Sequence, residues 1–381
     1  MTQEIQTYRK QALDFQAYFA DEITKLDPCP SSADNFQTNI HMADANLRWF
    51  LPQLDAVART DILTDVLLQQ RLALNDQSDY GLIKRTQLID NSGVQFGGAV
   101  VYCTYHIGSY RHFFHWLIQE GIDCLLFVAE KTLHSQGESF LRDSVLGAKS
   151  GGRQGKLEMV NAETRSSVLA GARAIKRGKS VAIYIDGNTG VGNNKDNNSM
   201  QEVNFFGKKI LARGGVAWLA HLSGVPVVPV TCERNDSFEL SLTLHPALHP
   251  DLNMSREAWV TQTTQTLYSL LELRLRPRLG QWEGWFYVHK FLKRETSSPR
   301  GLREATPMTD KCLRADVTRF ALVMFGAQPV LLDKQRHSFI LLNNLMAAMF
   351  RSAVKNGLRS DDASSPEVLH LFNLEALLQE V

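Results

Sequence analysis

The stretch AVVYCTYHIGSYR, residues 99–111, decides the reading of the fold. Ala99, Val100, Val101 and Tyr102 form a short apolar run with two β-branched residues and an aromatic, the pattern of a strand buried on both faces. The run leads to His106 and Gly108, and Phe113, Phe114, Leu117 and Ile118 then recur as the apolar face of a helix that stops near Gly121. Leu125, Leu126 and Phe127 make the next strand. Downstream, the pattern predicts a helix over 163–177, a strand over 181–185, a helix over 212–222 and a strand over 225–230. Strand and helix in turn imply an α/β fold, a mainly parallel sheet flanked by helices. Ligands bind beyond the C-terminal ends of such strands, and His106 sits at one of those ends. Taken alone, a histidine in that place reads first as a hydrogen-bonded structural residue.

The flanks are read the same way. Ile5, Tyr8, Ala12, Phe15, Phe19 and Ile23 recur at spacings of three and four, so 3–26 is an amphipathic helix. Its polar face carries both signs, which favours packing on the domain core over a membrane surface. Residues 27–34 are a turn-rich loop, and 43–72 read as helical.

Composition bounds the function. Lys and Arg total 41 against 40 Asp and Glu, a formal charge of +1, so the chain does not bind nucleic acid through bulk charge. Cys29, Cys103, Cys124, Cys232 and Cys312 are odd in number and show no C-x-x-C spacing. That excludes a disulfide framework or a zinc knuckle and fits free thiols in a reducing, cytoplasmic setting. The N-terminus has no signal-peptide core. The most apolar stretch, Val216–Val230, is broken by His221, Ser223, Gly224 and Pro226, and falls short of the roughly 18 apolar residues a membrane span needs. No transmembrane segment is expected; peripheral membrane contact stays open.

Further segments fall in a telling order. Ala45-Asn46-Leu47-Arg48-Trp49-Phe50-Leu51-Pro52 comes first, then the His106 strand end. Tyr184-Ile-Asp186-Gly-Asn-Thr-Gly190 follows, then Val203-Asn-Phe-Phe206-Gly207-Lys208-Lys209. Leu219-Ala220 precede Gly224-Val-Pro226, and Gln281-Trp282-Glu-Gly-Trp285 leads to His289-Lys290. Together, over roughly 43–292, these resemble the lysophospholipid acyltransferase superfamily, in particular the bacterial lipid A lauroyl/myristoyl acyltransferases. The resemblance implies an acyltransferase-like domain over 1–294 that moves an acyl group from a thioester to a hydroxyl or amine. The donor, acyl carrier protein or coenzyme A, would be a co-substrate, with no cofactor bound. The histidine would be the general base, and an acid five residues on would hold its other ring nitrogen.

This sequence has Arg111 where that acid is expected. An arginine accepts no hydrogen bond and disfavours an imidazolium. Three readings stay open: Asp186 at the neighbouring strand end orients His106, His106 acts alone, or the domain has changed or lost its chemistry and become a binding scaffold. An aminoacyl transferase on the same scaffold is a further alternative. His115 and Glu120 spell a literal H-x4-E, but deep in the following helix. His112 and His115 are one turn apart, yet no carboxylate or cysteine completes a metal-ligand spacing, so no metal is expected. Gly187, Gly190 and Gly192 read as a loop rather than a phosphate cradle. Lys208, Lys209 and Arg213 would bind the donor's phosphates or an acidic carrier, or else form a solvated basic turn. Arg142 and Arg153 lie where the family has basic residues near its donor site.

After a linker at 295–310, strands over 321–325, 330–332 and 339–342 precede a helix from Asn344 to Gly357 and another opened by Pro366. This small α+β module, 311–381, resembles the winged-helix-like, PqqD-like domains that recognise a peptide by strand addition. That resemblance implies a peptide acceptor; otherwise the module is a cap. Its expected core is Leu331, Ile340, Leu342, Phe350 and Phe372.

Overall fold

The computed structural model describes residues 3–379 apart from 31–33, 80, 96, 136–154, 165, 188–199, 252, 293–311 and 359–364. The linker, Arg142, Arg153, Gly190 and Gly192 lie outside the described residues. In chain order the helices are α1 (Gln3–Thr24), α2 (Asn35–Phe50), α3 (Ala56–Asp76), α4 (His112–Gln119), α5 (Ser167–Lys176), α6 (Gly215–Ser223), α7 (Arg256–Leu275), α8 (Asn344–Lys355) and α9 (Pro366–Asn373). Strands β1 (Gln87–Asp90), β2 (Val101–Gly108), β3 (Cys124–Val128), β4 (Leu157–Asn161), β5 (Ser180–Tyr184), β8 (Val227–Arg234) and β9 (Leu240–Leu244) form the main sheet. A hairpin of β6 (Met200–Phe205) and β7 (Lys208–Arg213) stands apart from it. The remaining strands are β10 (Leu313–Ala315), β11 (Phe320–Phe325), β12 (Gln328–Asp333), β13 (Ser338–Leu341) and β14 (Leu377–Gln379). The chain divides into two compact units, one drawn from 1–19, 64–284 and 288–293, the other from 20–63, 285–287 and 294–381.

The first unit holds the main sheet, in the order β1-β9-β8-β2-β5-β3-β4. Strands β4, β3, β5, β2 and β8 run parallel, while β9 is antiparallel to β8 and β1 parallel to β9. This is the mainly parallel α/β architecture the alternation predicts. Central β2 is buried at every residue except His106, which is half-buried. Its side chains alternate, as a strand requires. Tyr102 joins the core that Phe113, Phe114 and Leu117 of α4 form with Leu126, Val228 and Leu242. On the other face, the Tyr105 hydroxyl donates to the Leu267 carbonyl of α7 at 2.9 Å. Helix α1 buries Ala12 with Leu68 and Leu72, so its apolar stripe packs on the core as its mixed charges suggest. The "FFG" block turns the hairpin: Phe206 and Gly207 both take positive φ, 45° and 70°, as a two-residue β-turn of this hand demands.

The second unit pairs β11, β12 and β13 as an antiparallel meander, and β10 with β14. Its two faces are both covered. Phe320, Leu322 and Leu331 point into a core with Phe350, Val368 and Leu371, while Val323, Val330 and Leu332 pack on Met42 and Ala45 of α2. The Pro28 carbonyl accepts from the Leu322 N–H at 2.8 Å, and buried Asn46 donates to the Trp285 carbonyl at 2.7 Å. The module is therefore larger than the stretch 311–381 read from sequence. Its runs ALVMF and PVLL are apolar at consecutive positions, the signature of strands covered on both sides. Leu331, Leu342 and Phe350 are in its core and Ile340 packs against it; the Phe372 side chain lies outside the described residues.

The segment read as one helix over 43–72 is two, broken between Leu51 and Asp55, where Pro52 withdraws a backbone donor. Strand β1, hairpin strand β7 and helix α7 have weak periodicity, while β9 alternates apolar and polar residues, LSLTL, a strand signal that the reading passed over. Removing residues 311–381 would strip the partner surface from Met42, Ala45 and Cys29. The truncated chain is expected to aggregate or to bind a hydrophobic dye. A monomeric truncation with a cooperative melt and no dye binding would show that 20–63 hold their place without the module.

Candidate active site

Beyond Thr104, β2 leaves its ladder. Thr104 faces Val230 and Gly108 faces Cys232, so Tyr105, His106 and Ile107 stand against the single residue Thr231. This bulge lifts His106 out of register. Gly108 closes it at φ 55°, and a Cβ there would lie 2.3 Å from the Cys232 carbonyl oxygen, so the position needs glycine. The parallel neighbour β5 ends at Tyr184, and Asp186 follows within two residues. The two strand ends thus deliver a histidine and a carboxylate to the same edge of the sheet.

They meet. His106 Nδ1 lies 2.9 Å from Asp186 Oδ1, and the His106 backbone N–H donates to Oδ2 at 3.0 Å. The Trp282 indole N–H donates to the same Oδ2 at 2.7 Å. Asp186 is 2 % exposed, so these donors replace the water it has lost. The His106 ring stacks on Tyr184 at a centroid distance of 4.5 Å and meets the edge of Tyr110 at 4.8 Å. Burial works against the imidazolium. The charge and hydrogen bond of Asp186, helped by the charge of Glu283, outweigh it and hold the pKa above the ordinary 6.5, while Arg111 pulls it down. Glu283 accepts from the Tyr110 hydroxyl at 3.0 Å and from Gln70 Nε2 at 3.1 Å. Burial, reinforced by Glu283, raises the Tyr110 phenol well above its usual range, so it stays a neutral donor.

Arg111 does not replace the acid. It sits at the start of α4, donates from Nη1 to Gln77 Oε1 at 2.8 Å and lies over the Tyr110 ring at 5.6 Å. Of the basic residues after the hairpin turn, Arg213 reaches this region: its Nη1 donates to the carbonyl of Gly187, next to Asp186, at 2.9 Å. Lys209 is exposed and pairs with Glu202 across the hairpin at 2.6 Å, and Lys208 is half-buried at the turn. His115 is buried within α4, and its ring stacks with His112 at 5.6 Å. Burial first, then His115 and Arg234, push His112 down to about 3. Among the described residues no group of three or more His, Cys, Asp or Glu gathers as a metal set, and no helix is long and apolar enough to cross a membrane.

Residues 153–294 match the family model of the bacterial lipid A biosynthesis acyltransferases. The match covers well under half of the chain. It takes in Asp186, the hairpin and Trp282; His106 and Arg111 precede it. It supports acyl transfer as the class of chemistry. No curated protein sequence matches the chain. Among solved structures, the chain is similar to the 1-acyl-sn-glycerophosphate (LPA) acyltransferase PlsC from Thermotoga maritima, at 11% identity and a TM-score of 0.32, over 71% of this chain and 98% of that one.

Sequence reading missed Trp282, Glu283, Tyr110 and Tyr184 as site residues. The signal for Trp282 and Glu283 was their place in the aromatic block at 281–287, and for Tyr184 its place two residues before Asp186. The pKa of His106 is testable directly. In the wild type its imidazole should titrate above 6.5. In Asp186→Asn the carboxylate charge that holds the proton is gone, burial and Arg111 dominate, and the ring should titrate below the wild-type value. A raised folded pKa stabilises the fold at pH below the unfolded value, and that contribution is lost as pH rises through the folded one. NMR titration of the ring checks the order; an unchanged midpoint in Asp186→Asn would contradict it.

Proposed function

We propose that the chain is an acyltransferase. It transfers an acyl group from a thioester, on acyl carrier protein or coenzyme A, to a hydroxyl or amine. The observation that carries this reading is the contact of His106 Nδ1 with Asp186, beside a segment that matches an acyltransferase family model. Asp186 accepts a hydrogen bond from Nδ1–H, which leaves the lone pair on Nε2. His106 Nε2 takes the proton from the acceptor as its oxygen or nitrogen attacks the thioester carbonyl. The tetrahedral intermediate collapses with cleavage of the C–S bond, and the imidazolium returns the proton to the leaving thiolate. Asp186 stabilises the imidazolium between these steps. Arg213, held at Gly187, would meet the phosphates of the donor, with Lys208 and Lys209 at the hairpin turn as further cations and Arg142 outside the described residues. In this reading the enzyme works in the cytoplasm without a bound cofactor. A peptide would be an acceptor that adds along β13, which pairs only with β12 among the described residues.

A scaffold that had lost its chemistry would have little use for a buried carboxylate aimed at an imidazole. The test is intact-mass analysis of acceptors incubated with acyl carrier protein and coenzyme A thioesters. His106→Ala should lower transfer by about 10²-fold or more on a verified pair. Unchanged turnover would remove His106 from the mechanism.

Arg111 gives a second test. It now opposes protonation of His106 beside Asp186 and Glu283. Arg111→Glu replaces that cation with a further carboxylate, so the imidazole holds its proton to higher pH. The acid limb of kcat/KM, where the base becomes protonated, should move to higher pH. A limb that stays in place or moves down would contradict the role of His106 as base.

A further inference from the structure

A second polar cluster lies in the other unit and does not depend on the acyl-transfer reading. Asp44 of α2 receives three cations. Arg48 Nε lies 3.1 Å from Oδ2, Arg59 Nε 2.8 Å from Oδ1, and Lys334 Nζ 3.3 Å from Oδ2. Arg59 also donates from Nη1 to the Leu54 carbonyl at 2.6 Å, and Lys334 to the Val317 carbonyl at 3.3 Å. The side chains of Arg59 and Lys334 are 9 % and 8 % exposed, and Arg48 is 25 % exposed. No other carboxylate pairs with these three cations among the described residues.

The contrast with the adjoining cluster is direct. Arg319 and Arg336 pair there with Asp333 and Glu375. At Asp44 the count is three to one, in a place where charge is poorly screened. Burial, with the charges of Arg48 and Arg59, lowers the Lys334 pKa against the pull of Asp44. The same three cations overcome the burial of Asp44 and hold its carboxyl below the usual range. His41, on the same helix, is lowered by burial and by Lys334 and adds no compensating charge. The donors are not used up. Both Nη groups of Arg48 and Nη2 of Arg59 make no hydrogen bond to the described residues, and they reach solvent. The open Nη pair of Arg48, Nη2 of Arg59 and the Lys334 ammonium therefore gather around Asp44 with two positive charges in excess.

We propose that Arg48, Arg59 and Lys334 form a binding site for a dianionic phosphate group. Planar guanidinium forks match phosphate oxygens in pairs, and a dianion cancels the excess that Asp44 leaves. The three cations come from α2, from the start of α3 and from the turn after β12, so a bound phosphate would also tie these elements together.

Isothermal titration calorimetry of the full chain, at constant ionic strength in chloride, tests this. The probes are inorganic phosphate, 4′-phosphopantetheine, and vesicles of phosphatidic acid in phosphatidylcholine. At least one should bind saturably, and Arg48→Gln and Lys334→Gln should each weaken it by tenfold or more. Response to inorganic phosphate marks a site for the phosphate itself. Response to phosphopantetheine alone marks a small phosphoester, and response to vesicles alone a lipid headgroup. Arg48 is the more exposed of the two, so Arg48→Gln keeps the test open if Lys334→Gln fails to fold. Absence of saturable binding by every probe, or binding unchanged in a folded Arg48→Gln protein, would overturn the proposal.

Discussion

The contact between His106 and Asp186 is the constraint on which the site depends. It needs two parallel strands, β2 and β5, to end side by side, and it needs β2 to break register so that its histidine can turn toward the neighbouring strand end. The bulge over Tyr105–Ile107 and the glycine at 108 supply the second condition. The carboxylate is almost wholly buried, and it would be costly there without partners. The His106 backbone N–H, the imidazole and the Trp282 indole satisfy it, each a hydrogen bond to a charged group of about 1.5–3 kcal/mol. Trp282 comes from the far end of the unit's sequence, so the site closes only when the whole sheet and the segment after α7 are in place.

The same contact explains how an arginine can occupy the place where an acid is expected. The acid's task is to hold one ring nitrogen and to steady the imidazolium. A unit charge in contact at about 4 Å is worth about 4 kcal/mol at a protein-like effective dielectric of about 20. In the proposed mechanism Asp186, in direct hydrogen-bond contact, takes that task from the next strand. Arg111 opposes it from beside Tyr110, where Glu283 faces both. The net balance still favours the protonated ring. Two carboxylates and one arginine thus set the proton affinity of an aromatic-lined histidine, which suits the base proposed for it.

The sheet's parallel core was legible because β2, β3, β5 and β8 are apolar at consecutive positions and alternate with helices closed by glycine. Placing His106 and Asp186 at neighbouring strand ends followed from that topology. The bulge was not legible, since it is set by what β8 and the residues around Trp282 present to β2. Helix α7 was missed because its buried residues are mixed with Thr and Gln, whereas β9 carries a regular Leu-Ser-Leu-Thr-Leu alternation that was legible and was passed over. The extent of the second unit was also missed. Residues from 43 on read as an ordinary helix, and only the meander's second apolar face, Val323, Val330 and Leu332 packed on Met42 and Ala45, says where that helix belongs. Arg142 and residues 188–199 lie outside the described residues, so the proposed donor side is argued from Arg213 and its hold on Gly187.

The central claim is that His106 and Asp186 work as one unit in acyl transfer. A double-mutant cycle on kcat/KM tests it most directly, with His106→Ala, Asp186→Asn and the pair together. Groups that act as a unit are strongly non-additive. The account predicts that the double variant is no slower than His106→Ala alone, because Asp186 acts only through the imidazole. Losses that multiply, or an Asp186→Asn enzyme as fast as the wild type, would contradict it.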